Sequence, residues 1–363
     1  MSPPGEANRS GVLLLAAGRF DAALAARIAE GKEPRLDMFQ LRDELQATLL
    51  DFRALDQAPL FIRAARRAAG DSAALALLAV AAHPRATAFF TSGEDIGIPL
   101  ALLLRARGLR TPHVMIAHTL AARKKRPFFT WLQAHKRIDR ILCYSSNEER
   151  VMRDELGIPA AQLELIRYHA DENFFRPMPE VEVEPDLLCS AGQLLRDYDC
   201  LIRATRDLPV RVNIAAGSPW IANPLQPRSA LPPAVDWRRY DRFELRALYA
   251  RAALAVVPIV ENEYQTGIST MLEMMAMGKC LIVTRTRGQG DTVVDGETGI
   301  YVPPGDDRAL RAAIEKMLAR PDEAARIGAN ARRFVEENAG LDRFTGVLGD
   351  AVRGQLGGAR AVP

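Results

Sequence analysis

Short apolar runs alternate with longer amphipathic stretches along most of the chain. Runs such as Val12–Ala16, Ala88–Thr91 and His113–Ala117 have the length and composition of buried strands. Stretches such as Ile98–Arg107 place apolar residues at helical spacing. Strands that alternate with helices pair in parallel, so the pattern predicts an α/β protein whose parallel sheets carry helices on both faces.

The same alternation continues after a break near the middle of the chain. Further strands are predicted over Ile141–Tyr144, Leu163–Ile166, Leu187–Ala191, Val210–Ala215, Leu254–Pro258, Cys280–Thr284 and Gly299–Val302. The break is Arg176–Asp186, which holds three prolines and four acidic residues and has the composition of a linker. We therefore predict two domains, residues 1–176 and 187–345, followed by a tail at 346–363.

Length and composition agree with two domains of a globular protein. The chain has 363 residues, 48% of them hydrophobic and 26% charged, with a net charge of +3. It shows no signal-peptide pattern and no apolar run near the roughly 20 residues that a spanning helix needs. The four cysteines have unrelated spacings, which favours reduced thiols. We expect a cytoplasmic protein.

The segment from Leu254 to Met277 carries the clearest candidate chemistry. A predicted strand leads through a polar loop to Gly267 and a helix over Ser269–Met277. The amides at that helix start, with Ser269 and Thr270, suit a phosphate, and Glu273 one turn later suits the hydroxyls of a ribose. The alternative is an ordinary helix whose glutamate lies at the surface while Met and Ala side chains pack inward.

This segment resembles the donor site of retaining glycosyltransferases of the family-four type. The matching residues are Leu272–Lys279, Cys280–Thr284, Asp295–Gly299, Val302–Asp306 and, upstream, Ser145, Leu156–Pro159, Asp171 and Phe175–Pro177. They occur in the family's order and span about residues 85–345. The resemblance implies a GT-B fold, in which two Rossmann-like domains face a cleft. It also implies retaining transfer of a hexose-like sugar from a nucleotide-diphosphate sugar to an acceptor hydroxyl.

The sequence pattern and the resemblance together indicate which residues form the site. Donor-binding candidates are Gly192, Arg196, Gly267, Ile268, Ser269, Thr270 and Glu273, and catalytic candidates are His118, Glu263 and Gln265. Arg196 is the nearest cation for the diphosphate, although a surface ion pair with Asp197 or Asp199 is the alternative. His118 follows an apolar strand and would touch the sugar or the acceptor, unless it only caps or packs locally.

Two positions depart from the family's pattern. Gln265 stands eight positions before Glu273, where the family has the first of two glutamates; Glu261 and Glu263 lie just upstream. Gln193 stands where the family has an arginine, and no lysine follows it closely. Without an Asp-x-Asp motif in a suitable loop we expect no metal, and no cofactor beyond the donor substrate itself.

A compact basic and aromatic patch covers residues 123–137. It suits an anionic surface at the inner membrane face, or an anionic acceptor such as a lipid or glycan. The alternative is a solvated helix whose Phe128, Phe129, Trp131 and Leu132 pack inward. Nucleic acid is not expected, because no basic face extends the patch.

Two other functions stay open on the sequence alone. A nucleotide-binding or membrane-docking module of the same fold could lack transfer activity, as Gln193 and Gln265 suggest. A sugar-nucleotide epimerase of the same architecture would change the donor and need no acceptor.

Overall fold

The computed structural model describes residues 10–120, 122–217, 225–227 and 230–358. The described chain divides into two compact units. The first comprises residues 10–25, 36–166 and 344–358, and the second comprises 26–35 and 167–343. The change between units near the middle therefore lies at 166/167, ahead of the linker at Arg176–Asp186. The segment at 26–35 belongs with the second unit.

The first unit is built on a six-stranded parallel sheet. Its strands are β1 (Val12–Leu15), β2 (Thr48–Leu50), β3 (Ala88–Thr91), β4 (His113–Ala117), β5 (Arg140–Cys143) and β6 (Leu163–Leu165), in the order β2-β1-β3-β4-β5-β6. The helices of this part of the chain are α1 (Leu24–Ala29), α2 (Asp37–Leu45), α3 (Leu60–Ala82), α4 (Glu94–Ala106), α5 (Arg126–Thr130) and α6 (Ser146–Asp154). Every residue of β1, β3 and β4 is buried, as expected for strands covered on both faces.

The second unit repeats the arrangement. Its strands are β7 (Glu184–Ala191), β8 (Arg211–Ala215), β9 (Val235–Arg238), β10 (Ala252–Val257), β11 (Leu281–Thr284) and β12 (Ile300–Val302), in the order β12-β11-β10-β7-β8-β9. Its helices are α7 (Tyr198–Ala204), α8 (Arg242–Arg251), α9 (Ile268–Ala276), α10 (Asp307–Leu318) and α11 (Pro321–Asn338). A last helix, α12 (Leu341–Gly358), begins in the second unit and ends in the first.

Alternation along β7 supplies two cores to the second unit. Leu187 and Cys189 pack with α8, α9 and α11, whereas Leu188 packs with α7 and α10 on the other face. The strand order reverses at β7, which pairs with β8 on one side and β10 on the other. Ligands of open parallel sheets bind beyond the carboxyl ends of the strands at such a reversal. This edge is where Gly192 and Gly267 are found.

The predicted α/β class with parallel sheets is confirmed, but two edge strands were missed. β2 has only three residues, and β9 alternates apolar and polar residues next to a proline-rich segment. The proposed tail at 346–363 is helical where it is described, since α12 reaches Gly358. Within the described residues, none of the helices combines the length and the apolar character needed to cross a membrane.

Arg35 forms hydrogen bonds that connect three segments of the second unit. These segments lie close to the points 35/36, 166/167 and 343/344, where the chain changes from one unit to the other. Its guanidinium donates to Asp171 at 2.8 and 3.0 Å and to Asp342 at 2.8 Å, and its backbone N–H donates to Asp171 at 2.7 Å. Asp171 is only 4% exposed, so its charge depends on this arginine for compensation.

Replacing Arg35 by alanine should therefore destabilise the protein. We expect a loss of about 2 kcal/mol, because a buried carboxylate loses its partner while Arg35 itself is part exposed. Urea unfolding of the full chain measures it. The control is Arg42→Ala, whose ion pair with Asp43 is exposed on both sides and should cost less than about 0.5 kcal/mol. Equal stabilities of the two variants would contradict the assignment.

Candidate functional site

The guanidinium of Arg196 lies between two glycines at the carboxyl end of β7. Its Nε donates to the Ala191 carbonyl at 2.9 Å, Nη1 to the Leu194 carbonyl at 2.9 Å, and Nη2 to Thr270 Oγ1 at 3.3 Å. A β-carbon at Gly192 would lie 2.2 Å from Nη2, and one at Gly267 would lie 3.0 Å from both Nη atoms. Both glycines also have positive φ, so this packing needs glycine at each position.

Among the residues that the structure describes, no carboxylate forms an ion pair with Arg196. Burial lowers the pKa of Arg196, while Tyr198, Tyr249 and Glu273 oppose that shift. Its hydrogen bonds to described residues go to uncharged oxygens. Asp197 was one of the two acids considered as an ion-pair partner of Arg196. It instead caps α7 by accepting a hydrogen bond from the Cys200 N–H at 3.0 Å. A half-buried guanidinium in this state is suited to an incoming anion.

The start of α9 lies against the same guanidinium. Gly267 adopts a left-handed conformation as the N-cap and, as a glycine, has no side chain to cap the helix. The first amides of the helix, at Ile268, Ser269 and Thr270, therefore keep donor capacity that a side-chain cap would otherwise use. Together with Arg196, the positive end of the helix dipole makes this corner attractive to a phosphate.

Glu273 is buried inside the second unit. It is 7% exposed, and its Oε1 accepts from Arg242 Nη1 at 2.8 Å while Oε2 accepts from the Tyr249 hydroxyl at 3.3 Å. Burial raises the pKa of Glu273, and the adjacent Arg242 guanidinium opposes that shift. The alternative of an ordinary surface glutamate is therefore wrong.

Arg242 and Tyr249 were not found from the sequence. Both lie on α8, which opens with a capping box formed by Asp241 and Glu244. The Asp-x-x-Glu spacing of that box signals a helix start, but it does not indicate a partner for Glu273, 31 positions further along. Only the packing of α8 beside α9 brings the ion pair together.

Gln265 and Glu263 lie in the loop between β10 and α9. Gln265 donates through Nε2 to Thr292 Oγ1 at 2.7 Å. Glu263 is exposed, and its carboxylate lies 3.3 Å from Arg287 Nη1. Gln289 donates to the Thr266 carbonyl, so the loop is fastened to the segment that follows β11. Thr292, Arg287 and Gln289 had no sequence signal.

His118 follows β4 in the first unit, close to a buried ion pair. Its backbone N–H donates to Glu94 Oε2 at 2.9 Å, and its ring Nε2 lies 2.8 Å from the Ser92 carbonyl. Its ring centroid lies 5.5 Å from that of Tyr144. Glu94 is buried at the start of α4 and pairs with Lys125. Lys125 was expected in the surface patch.

The basic and aromatic patch at 123–137 divides into a buried and an exposed part. Lys125 is 8% exposed and Phe129 is 1% exposed, so neither is available at the surface. Trp131 is 81% exposed and Leu132 is 45% exposed, which contradicts the alternative in which all four apolar side chains pack inward. Arg126 is paired with Glu155 at 2.7 Å.

The expected approach of 217–219 to the nucleotide falls largely on Ser218 and Pro219, which are outside the described residues. All four cysteines are buried, and within the described residues none of them is part of a disulfide. Over the described ranges, no three His, Cys, Asp or Glu side chains group as metal ligands would.

Two family models match the chain, one in each half. Residues 189–320 match the family described as "Glycosyl transferases group 1". Residues 41–171 match "Glycosyltransferase Family 4". The two matches are separate and follow each other along the chain. They include Arg196, Glu273 and His118.

Curated relatives match parts of the chain. One is a lipopolysaccharide core biosynthesis mannosyltransferase, LpcC, from Rhizobium leguminosarum bv. viciae, 31% identical over 118 residues, which are 32% of this chain and 33% of the relative. Another is a GDP-mannose-dependent alpha-(1-6)-phosphatidylinositol monomannoside mannosyltransferase from Mycolicibacterium smegmatis, 28% identical over 50% of this chain and 53% of the relative. The chain thus spans about a third to a half of the length of these relatives.

Solved structures resemble the chain over nearly its whole length. Sucrose-phosphate synthase from Thermosynechococcus elongatus has a TM-score of 0.72 at 16% identity, covering 96% of this chain and 99% of that one. Anabaena HepE in complex with UDP-glucose has a TM-score of 0.68 at 14% identity, covering 94% and 99%. At identities this low, structural similarity shows the fold alone, and it confirms the predicted GT-B fold.

The packing around Arg196 predicts a difference between two glycine substitutions. Gly305→Ala meets no atom within 4 Å and should cost about 1 kcal/mol for its positive φ. Gly192→Ala has the same backbone cost and also displaces the guanidinium, so we expect about 2 kcal/mol more. Urea unfolding of the two variants measures the difference. If they are equally stable, Arg196 does not occupy the space above Gly192.

Proposed function

We propose that this chain transfers a sugar from a nucleotide-diphosphate sugar to an acceptor hydroxyl. It belongs to the group 1 glycosyltransferases and has the GT-B fold. One observation carries this proposal. Arg196 holds a guanidinium without a carboxylate partner among the described residues, beside the uncapped start of α9. Such a corner suits the diphosphate of a donor.

The diphosphate is also the leaving group of the proposed reaction. Negative charge grows on it as the bond from its oxygen to the sugar's anomeric carbon breaks. Arg196 and the amides of Ile268, Ser269 and Thr270 would stabilise that charge without rearrangement, because the glycines and Thr270 already hold the guanidinium in place. Catalysis in this proposal is mostly positioning and charge stabilisation.

Glu273 would receive the ribose hydroxyls. Its two oxygens each have a partner in Arg242 and Tyr249, but a carboxylate offers about four acceptor sites, so capacity remains for two hydroxyl donors. Arg242 favours the charged form of the buried carboxylate against the effect of burial, and an ionised group accepts hydrogen bonds about twice as strongly as a neutral one.

We further propose that transfer retains the anomeric configuration, as the family resemblance implies. The acceptor oxygen would bond to the anomeric carbon on the face that the diphosphate leaves, and the acceptor's proton would pass to the leaving phosphate oxygen. His118 and Gln265 are our candidates to contact the reacting sugar. Glu263 is the weaker candidate, because its carboxylate is exposed and paired with Arg287.

A second function has its own support. Gln193 and Gln265 replace charged residues of the family's pattern, which favours a module that binds a nucleotide sugar without transferring it. Incubation of the purified protein with a radiolabelled donor separates the possibilities. Release or transfer of sugar supports the enzyme, binding without turnover supports the module, and conversion of the donor to its epimer supports an epimerase.

The acceptor would be a lipid or glycan presented at an anionic membrane surface. Trp131 and Leu132 are exposed, and so are Arg123, Lys124 and Lys136 of the same short segment, a combination that suits lipid headgroups at the inner membrane face. One similar protein is named as acting on a phosphatidylinositol monomannoside. The protein itself would remain cytoplasmic and peripheral.

A thermal-shift panel with UDP, GDP and ADP tests donor binding. We expect one nucleotide to stabilise the protein, by about 2.7 kcal/mol when its concentration is 100 times its Kd. Glu273→Gln should remove most of the response while keeping the shape of the buried side chain. The control Glu315→Gln, an exposed residue of α10, should respond like the wild type. No response to any of the three nucleotides would overturn the donor-site proposal.

Membrane contact is tested by sedimentation with vesicles. Binding should need phosphatidylglycerol in phosphatidylcholine vesicles, and Trp131→Ala should weaken it roughly ten-fold, because a large ring no longer enters the interface. The control is Phe243→Ala, which removes a partly exposed aromatic side chain from the second unit. Equal binding of both variants, or none by the wild type, would contradict the membrane proposal alone.

A further inference from the structure

A buried carboxylate holds the turn that carries His118. Glu94 is 2% exposed at the start of α4, and its Oε2 accepts from the His118 N–H at 2.9 Å. Its Oε1 accepts from both the N–H and the hydroxyl of Thr119 at 3.0 Å. The two residues that follow β4 are therefore fixed to the first turn of a helix rather than only to their own loop.

Lys125 completes this arrangement from another element. Its Nζ contacts Glu94 Oε1, lies 3.1 Å from Thr119 Oγ1, and is 3.5 Å from Asp95 Oδ1. Burial alone would raise the pKa of Glu94, but the charges of His118 and Lys125 and the His118 backbone N–H bring it to about 2. Glu94 is thus an anion with a cation beside it. Breaking such a pair by removing one partner is costly.

The imidazole of His118 is oriented by its surroundings as well. Nε2 lies 2.8 Å from the Ser92 carbonyl, which can only accept, so Nε2 must carry a proton. The ring lies close to the backbone of Gly93, where a β-carbon would stand 3.3 Å from Cδ2. The side chain is exposed, and Nδ1 has no hydrogen bond to any residue that the structure describes.

From this geometry we infer that Glu94 and Lys125 are positioning residues for His118, and that Nδ1 is the ring atom that meets the substrate. The inference rests on the proposed function and names the atom through which His118 would act. In the neutral ring Nδ1 accepts a hydrogen bond from a sugar or acceptor hydroxyl. In the protonated ring it donates one. Nε2 cannot take either role while it donates to Ser92.

The tautomer can be measured without any substrate. In the full chain labelled with ¹⁵N-histidine, the long-range ¹H–¹⁵N spectrum at alkaline pH should show His118 with its proton on Nε2 and none on Nδ1. The signal is assigned by its loss in His118→Asn. A proton on Nδ1 in the wild type would overturn the inference, whatever the donor or the reaction proves to be.

Glu94→Gln tests the positioning role in the same spectrum. A carboxamide cannot accept from both backbone N–H groups and pair with Lys125, so the turn should loosen and the His118 signals should indicate mixed tautomers. Because this variant leaves Lys125 buried without its anion, Glu94→Gln with Lys125→Met removes both charges and keeps the volume. We expect mixed tautomers there too. An unchanged His118 spectrum in the folded double variant would refute the positioning role.

Once a donor is found, two substitutions of His118 separate the ring nitrogens. The amide of asparagine reaches the position of Nδ1, and the amide of glutamine reaches that of Nε2. His118→Asn should therefore keep at least about ten-fold more kcat than His118→Gln, with an unchanged response to the nucleotide panel. His83→Gln in the same unit is the control. The reverse order would overturn the assignment of Nδ1, while a failed nucleotide panel would count against the proposed function instead.

Discussion

The close approach of a guanidinium to two glycines is the constraint around which the second unit is organised. Arg196 occupies space that a β-carbon on Gly192 or Gly267 would fill, and this brings the end of β7 against the start of α9. Glu273, one turn into α9, is then carried into the interior, where it requires Arg242 as a counter-charge. Packing, backbone conformation and charge in this region therefore depend on one another.

Much of the fold could be predicted from the sequence, because strands such as β3 and β4 are buried on both faces. Continuous apolar runs located β3 and β4 with the observed bounds, and the helix around Glu273 within one residue. Such signals come from neighbouring residues and do not depend on which distant segments pack together. The short β2 and the alternating β9 lie at sheet edges, where few apolar residues are needed, and so left little signal.

The partners of the site residues could not be predicted in the same way. Arg242 and Glu273 are joined by the packing of two helices, and Glu94 and Lys125 by the packing of the start of α4 against the segment that follows β4. A cluster of basic residues at 123–126 is typical of a solvated surface, yet Lys125 is drawn inward by one buried carboxylate. Pairs distant in sequence become visible only when the tertiary structure is known.

The way in which the chain crosses between the two units limits how proteins of this architecture could recombine during evolution. Residues 26–35 come from the N-terminal part of the sequence but belong with the second unit, and α12 returns to the first. A single recombination event in the linker at Arg176–Asp186 would therefore supply a second unit whose Arg35 and Asp171 come from one parent and whose Asp342 comes from the other. Functional chimeras of this architecture would have to inherit residues 26–35 and 167–343 from the same parent.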